Sequence, residues 1–494
     1  MISARLRPAA LPGFQPSWLF PAIVAALLAG GCTFQDSSTA APSAPLSSIA
    51  ECAALFQEVD TAIARAGHRD AGPVAVKGFP WLRANRFLAS FAEDALQQES
   101  FEAWVERLGR LDSRARELEL RNHGAIVAGM GPDRLQVELD RCRVPLQENL
   151  LREPELRAQL KMAVQVPDDY VTAWRIAGLY PLTAPFVSLG VNRWHGETRA
   201  IFDTPRDELP VAGHLLRWRA PYPEASSRYA PRQDALGIPV PGDAQLRALF
   251  RRHAPVWEID VVDRNDRIGT PVYTDRAMVS TDRATQYHYL SYTRFGDQIL
   301  LQLNYVIWLP ARPGTDIYAG NIDGLTWRAT LGPDGEPWLY DSIHNCGCYH
   351  MHFPTAHLQL REDLPALGFE PPLVPQRAPD PPLVVRIDSG RHYIQRVYQD
   401  QVNASGARAE AEQLAEAEYD SLRSLPAAGG YRSFFGPFGL VPGSERGERF
   451  LLWPMGVRSP GAMRQRGHHP VAFVGRRHFD DARLIENQFR ERMK

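Results

Sequence analysis

The chain has 494 residues, 44% hydrophobic, 10% aromatic and 23% charged, enough apolar content for at least one large core and too much for disorder along its whole length. A formal net charge of −2 excludes a whole-chain polycation of the kind that coats nucleic acid, so no nucleic-acid partner is expected and any electrostatic partner must be met by a local patch. The lysines are Lys77, Lys161 and Lys494, and none stands in a G-x-x-x-x-G-K-[ST] context, which argues against Schiff-base and P-loop chemistry.

Residues 1–31 read as a secretory signal. Arg5 and Arg7 precede an apolar stretch over 18–28, followed by Ala29, Gly30, Gly31 and Cys32, and the apolar run is too short to span a bilayer, which takes about 20 residues. The small residues before Cys32 resemble a bacterial lipobox, with Ala29 where leucine is usual. The resemblance implies that Cys32 is lipidated and becomes the mature N-terminus. Thr33 follows it in place of the aspartate of inner-membrane retention, which implies an outer-membrane lipoprotein facing the periplasm, with the membrane as partner through its lipid. A plain secreted protein with an unmodified Cys32 is the alternative. Residues 32–48, rich in Ser, Ala and Pro, read as a flexible tether.

In an oxidising compartment the four remaining cysteines, Cys52, Cys142, Cys346 and Cys348, permit three pairings. Cys52 with Cys142 is the favoured one. It would close a loop of about 90 residues and, by the chain-entropy model, contribute about 4 kcal/mol.

Residues 49–166 carry a helical pattern, with Trp104, Leu108 and Leu111 at i, i+4 and i+7 on one face. Residues 167–255 are rich in Pro, Trp, Tyr and Arg, and their period is hard to assign. The pattern turns to β from residue 256, with a long strand expected over 298–309 and a hairpin over 327–343 whose loop holds Gly332, Pro333, Asp334 and Gly335. The prolines of 371–382 suggest a stiff connector, and a helix is expected over 408–422. The fold class is α+β: a helical domain (49–166), a β-rich domain (167–370), the connector, and a smaller mixed C-terminal region (383–494), because helices and strands come in separate blocks.

One segment stands apart. Residues 341–357 hold four of the 14 histidines, at His344, His350, His352 and His357, together with Cys346 and Cys348. If the strand begun at Trp338 continues, His344, Cys346, Cys348, His350 and His352 share one face, because side chains alternate with period two. Imidazole and thiolate donors suit a transition metal, Zn or Cu, and not Ca or Mg. Glu258, Asp260 and His288 are candidates to complete such a site from neighbouring strands. Other readings of the same residues remain open: a local Cys346–Cys348 disulfide, histidines with a structural role or facing a partner, and a thiol nucleophile with a histidine base. No H-E-x-x-H, G-x-S-x-G or paired C-x-x-C occurs, so the zincin, α/β-hydrolase and zinc-ribbon signatures are missing and no reaction is assigned.

From Arg446 onward ten arginines and one lysine face five acids. This basic end suits an anionic envelope component such as lipid phosphate or a cell-wall polymer. Two functions follow as expectations: a lipid-anchored envelope protein with a transition-metal site in its β domain, hydrolytic if a coordination position is open, or a non-enzymatic envelope scaffold stapled by a disulfide.

Overall fold

Ser48 opens the first helix, α1 (Ile49–Ala66), with a capping box: its hydroxyl accepts the Glu51 N–H and the Glu51 carboxylate accepts the Ser48 N–H. Gly67 closes it in the left-handed conformation, φ 72°. This is the first element of a computed structural model that describes residues 48–221, 229, 231–365, 368–401 and 409–492. The expected leader, the expected lipidation at Cys32 and the expected tether up to residue 47 lie outside the described residues.

Two longer helices, α2 (Gln98–His123) and α3 (Pro132–Arg152), pack on α1 and bury Phe56, Trp104, Leu108 and Leu139 completely. Cys52 on α1 and Cys142 on α3 are joined by a disulfide. The helical block is not purely helical. A hairpin of Val74–Val76 and Phe79–Ala84 lies against α2, and the polar side of α2 meets it in a buried ion network. Asp112, fully buried, accepts from Arg83 at 3.2 Å, from Arg116 at 2.8 Å and from Arg143 at 3.1 Å. Arg83 also grips both Glu119 oxygens, at 2.8 and 2.7 Å.

Among its described residues, the stretch whose period is hard to assign includes the α-helices Thr172–Ala177, α4 (Tyr180–Asp203) and Asp243–His253 and the strand His214–Arg219. The central sheet follows: β1 (Thr285–Phe295), β2 (Gln298–Arg312), β3 (Gly320–Leu331), β4 (Pro337–His344), β5 (Met351–Pro354) and β6 (Ala415–Glu418). Its order is β5-β4-β3-β2-β1-β6, antiparallel except for the β1–β6 edge. A second, mixed sheet runs Ile394–Gln399, Leu383–Ile387, Val256–Val261, His214–Arg219 and Glu412–Gln413. Trp218, Trp257 and Ile259 of the second sheet share one core with Leu303, Tyr305, Trp327 and Tyr340 of the first, so the two sheets pack face to face. The central strands are buried on both faces: every residue of β4 and β5 is buried.

Two sequence expectations give way here. The stretch expected as a helix over 408–422 is, within its described residues, strand Glu412–Gln413, strand β6 and the 3-10 turn Tyr419–Arg423. Pairing with exposed sheet edges outweighs the helix propensity of its Ala and Glu residues. The proline stretch 371–382 is not a free spacer, since Leu373 O accepts the His352 N–H at 2.8 Å and the Ala378 N–H reaches Pro354 O at 3.0 Å along the β5 edge. Strands from both sides of that stretch share the second sheet, and Leu46–Lys494 form one compact unit. The class remains α+β, an N-terminal helical region followed by β-sheets.

The ion network predicts a large local cost. Asp112→Asn leaves the buried Arg83 and Arg116 and the half-buried Arg143 sharing a neutral partner, and its urea unfolding free energy falls by about 3–5 kcal/mol relative to the parent. An exposed ion pair such as Arg193–Glu197, broken by Glu197→Gln, changes it by less than about 1 kcal/mol.

Candidate metal centre

The hairpin of β4 and β5 decides which side chains of the histidine segment meet. β4 ends at His344, and the chain then turns rather than continuing as a strand: Gly347 sits at φ +91° and Tyr349 at φ +61°, and the His344 N–H returns to Cys348 O at 3.0 Å. The expected single face of His344, Cys346, Cys348, His350 and His352 is therefore broken. A Cβ on Gly347 would stand 2.6 Å from Pro470 O, so this turn accepts only glycine at that position.

Register assembles a different group. Arg328 on β3 lies directly opposite Asp341 on β4, and Asp341 lies opposite His352 on β5. His350, just before β5, joins them by a contact of its Nε2 with Asp341 Oδ2 at 2.9 Å. The ligand atoms of Asp341, His350 and His352 lie within 4.8 Å of one another and all three residues are buried, so the structure holds a buried Asp–His–His group able to take a metal ion. The two imidazoles are tilted by 44° with centroids 4.0 Å apart, and neither Nδ1 has a hydrogen-bond partner among the described residues.

The electrostatics keep both imidazoles in the neutral, ligating form. Burial pushes His350 down to about 4, and burial together with the adjacent His350 holds His352 well below the usual histidine range. Against the cost of its own burial, Asp341 is held well below the usual carboxylate range by Arg328 and by the His350 hydrogen bond. Arg328 grips both Asp341 oxygens, at 2.9 and 2.5 Å, and its guanidinium lies 3.6 Å from the centroid of Phe479. Arg328 and Phe479 also line a cleft of about 370 Å³ with Ser291, Gln302 and Gln465, while Asp341, His350 and His352 do not. Arg328 and Phe479 thus stand between the triad and the cleft.

The other expected ligands lie elsewhere. His344 belongs to a second network around Asp323, with Nδ1 3.6 Å from Asp323 Oδ1. His357 is exposed and stacks on Trp338 at 5.9 Å. Cys346 and Cys348 are not disulfide-bonded, and the Cys348 N–H donates to Cys346 Sγ at 3.4 Å. Glu258 takes Arg217 at 2.7 Å and the Tyr398 hydroxyl at 2.9 Å. Asp260 accepts the backbone N–H groups of Ala212 and Gly213. His288 lies against Phe250, ring centroids 4.7 Å apart and planes tilted by 48°.

Sequence reasoning missed Asp341 and Arg328, both donors or partners on strands it had placed. The register of the hairpin, which puts Asp341 across from His352, is the signal that finds them. It also missed a wholly buried bridge: His392 Nδ1 meets Asp323 at 2.9 Å and His392 Nε2 meets Asp266 at 3.2 Å. Against the cost of burial, these two carboxylates push His392 up to about 9.

Searches against protein-family models, curated proteins and solved structures found no match to this chain.

The His392 bridge fixes a pH dependence. A histidine raised from 6.5 to about 9 contributes stability that is fully present below pH 6.5 and is lost as the pH rises through about 9. Urea midpoints of the parent are expected to fall over that window. His392→Gln starts lower and falls less steeply, the residual slope coming in part from His478, also raised to about 9 beside Asp168 and Asp481. Parallel slopes in the two proteins would contradict a charged His392.

Proposed function

We propose that the chain is a lipid-anchored bacterial envelope protein whose central sheet binds one transition-metal ion, Zn(II) or Cu(II), through Asp341, His350 and His352. The observation that carries the metal reading is the pair of buried, neutral imidazoles with ring centroids 4.0 Å apart, each with an unpartnered Nδ1, beside an ionised carboxylate. Unpartnered buried nitrogens are costly, and two imidazoles with one carboxylate are a donor set that Zn(II) and Cu(II) favour. The envelope reading comes from the lipobox resemblance at Cys32.

The group fits an ion with a small adjustment. Two donors about 2.0–2.1 Å from a tetrahedral ion stand about 3.3 Å apart, and His350 Nε2 and Asp341 Oδ2 are 2.9 Å apart. Opening that contact by a few tenths of an ångström and shifting the His350 proton from Nε2 to Nδ1 would admit the ion at Nε2. Arg328 then acts as the outer partner that orients Asp341. The donors are buried and the cleft side is occupied by Arg328 and Phe479, so the reading favours a structural ion pinning the β4–β5 hairpin over a hydrolytic ion with an open position.

One observation favours the metal-free scaffold instead. Arg328 already neutralises Asp341 through both oxygens, and a cation bound there meets a guanidinium at close range.

Elemental mass spectrometry on the untagged chain purified from a periplasm separates the two. The metal reading expects about one equivalent of Zn or Cu per chain, absent from the His350→Ala/His352→Ala variant, and a lower melting temperature after chelation. No metal in either protein supports the scaffold.

A further inference from the structure

The face built by α4 and its neighbours carries apolar side chains standing in solvent. Ile176, Leu179, Leu182, Phe186 and Leu189 are 71%, 60%, 66%, 76% and 67% exposed; Leu182, Phe186 and Leu189 follow one another at spacings of four and three along one side of α4, while Ile176 lies near the end of the preceding short helix and Leu179 stands at the break between the two. Beside them runs the 3-10 turn Trp453–Met455, which packs on Thr172–Ala177 and α4, with the short helix Arg449–Leu452 leading into it. Phe450 and Leu451 are 70% and 63% exposed there, and Trp453 is exposed as well. Arg175 locks the two pieces together by donating to Met455 O at 2.8 Å and to Gly475 O at 2.6 Å. A contiguous apolar patch of this kind marks an interaction surface.

Charge narrows the partner. The sequence has no Asp or Glu between Asp169 and Glu197, and none between Glu448 and Asp480. The fold brings these two acid-free stretches to the same place. Cations sit on the exposed aromatics: Arg449 lies 4.8 Å from the Phe450 centroid, and Arg458 lies 5.0 Å from Phe438, itself 61% exposed. Arg193, at the far end of the ridge, pairs with Glu197 at 2.8 Å.

We infer that this face docks on an anionic lipid surface. Its side chains project as a ridge, and a fluid bilayer needs no complementary groove to receive them, while arginines at the level of the aromatics suit headgroup phosphates. No described helix is long and apolar enough to cross a membrane, so the face lies on the bilayer and does not span it. The basic C-terminal region thereby acquires a specific anionic partner, a phospholipid headgroup. The inference extends the envelope reading and depends neither on a lipid at Cys32 nor on a metal.

Vesicle flotation with the chain from Thr33 onward tests it, since that chain contains the whole compact unit Leu46–Lys494 and carries neither the apolar leader nor a lipid. It is expected to float with phosphatidylethanolamine/phosphatidylglycerol vesicles, more weakly with phosphatidylcholine, and less at high salt. Phe186→Ser/Leu189→Ser lowers the partition at least about tenfold. Val137→Ser/Val144→Ser, which removes apolar side chains of comparable exposure from α3 (53% and 57%), leaves it within about twofold, and equal urea midpoints for the two variants show that folding is not the cause. Absence of flotation, or equal flotation by the Phe186/Leu189 variant, overturns the inference. So does a dimer in solution that this variant dissolves while flotation is absent, which would make a second copy the occupant.

Discussion

Strands β2 to β5 of the central sheet are buried on both faces over most of their length, and that constraint governs the rest of the molecule. One face is apolar and joins the second sheet through Leu303, Tyr305, Trp327 and Tyr340. The other carries a row of polar groups set directly opposite one another from strand to strand: Tyr289, Asn304, Arg328, Asp341 and His352. Polar groups withdrawn from water must find partners inside the protein, and the Arg328–Asp341 pair is the strongest of those available. It fixes Asp341 against His350, sets the boundary with the neighbouring cleft, and through Phe479 ties the C-terminal segment onto the sheet.

The same logic recurs where Asp323, also fully buried, gathers Arg446, His344 and His392. Asp266 sits on the 3-10 turn Arg264–Asp266 that follows the second-sheet strand Val256–Val261, so the His392 imidazolium links the loops of one sheet to β3 of the other. A buried ion pair adds little stability against an apolar replacement, yet removing one partner is costly. Three such knots, around Asp112, Asp323 and Asp341, make each block of the fold intolerant of the loss of a single carboxylate.

Much of the architecture was legible because it rests on local chemistry. The Trp104–Leu108 stripe, the Gly332–Gly335 loop of the β3–β4 hairpin and the Cys52–Cys142 pairing each have a signal in neighbouring residues or in a count. The histidine segment was legible as a place of interest and not as a geometry. Period-two alternation holds only while a strand lasts, and the turn over 345–349 shifts the phase, so that odd-numbered Asp341 meets even-numbered His350 and His352. The strand β6 was lost for a related reason: Ala and Glu favour a helix in isolation, and only the free edge of β1 makes them a strand. Arg328 and His392 could not be found at all from spacing, since their partners are distant in sequence and are chosen by sheet register and by packing between sheets.

The exposed ridge on α4 lies in the stretch whose period is hard to assign, and an apolar stripe there does not by itself tell a core from a surface. Trp104 and Phe186 both lie on amphipathic stripes, but one has a partner helix and the other has water, and only the fold distinguishes them.

The central claim is that Asp341, His350 and His352 act together as a metal-binding group and not as a by-product of the Arg328–Asp341 pair. Anomalous diffraction from crystals of the untagged chain, recorded at the zinc and copper edges, tests it most directly. The account predicts a single strong peak about 2.0–2.1 Å from one donor atom of each of the three residues, with His350 Nε2 and Asp341 Oδ2 moved apart from 2.9 Å. A featureless map at both edges, with Arg328 on both Asp341 oxygens and the His350–Asp341 contact closed, would contradict it.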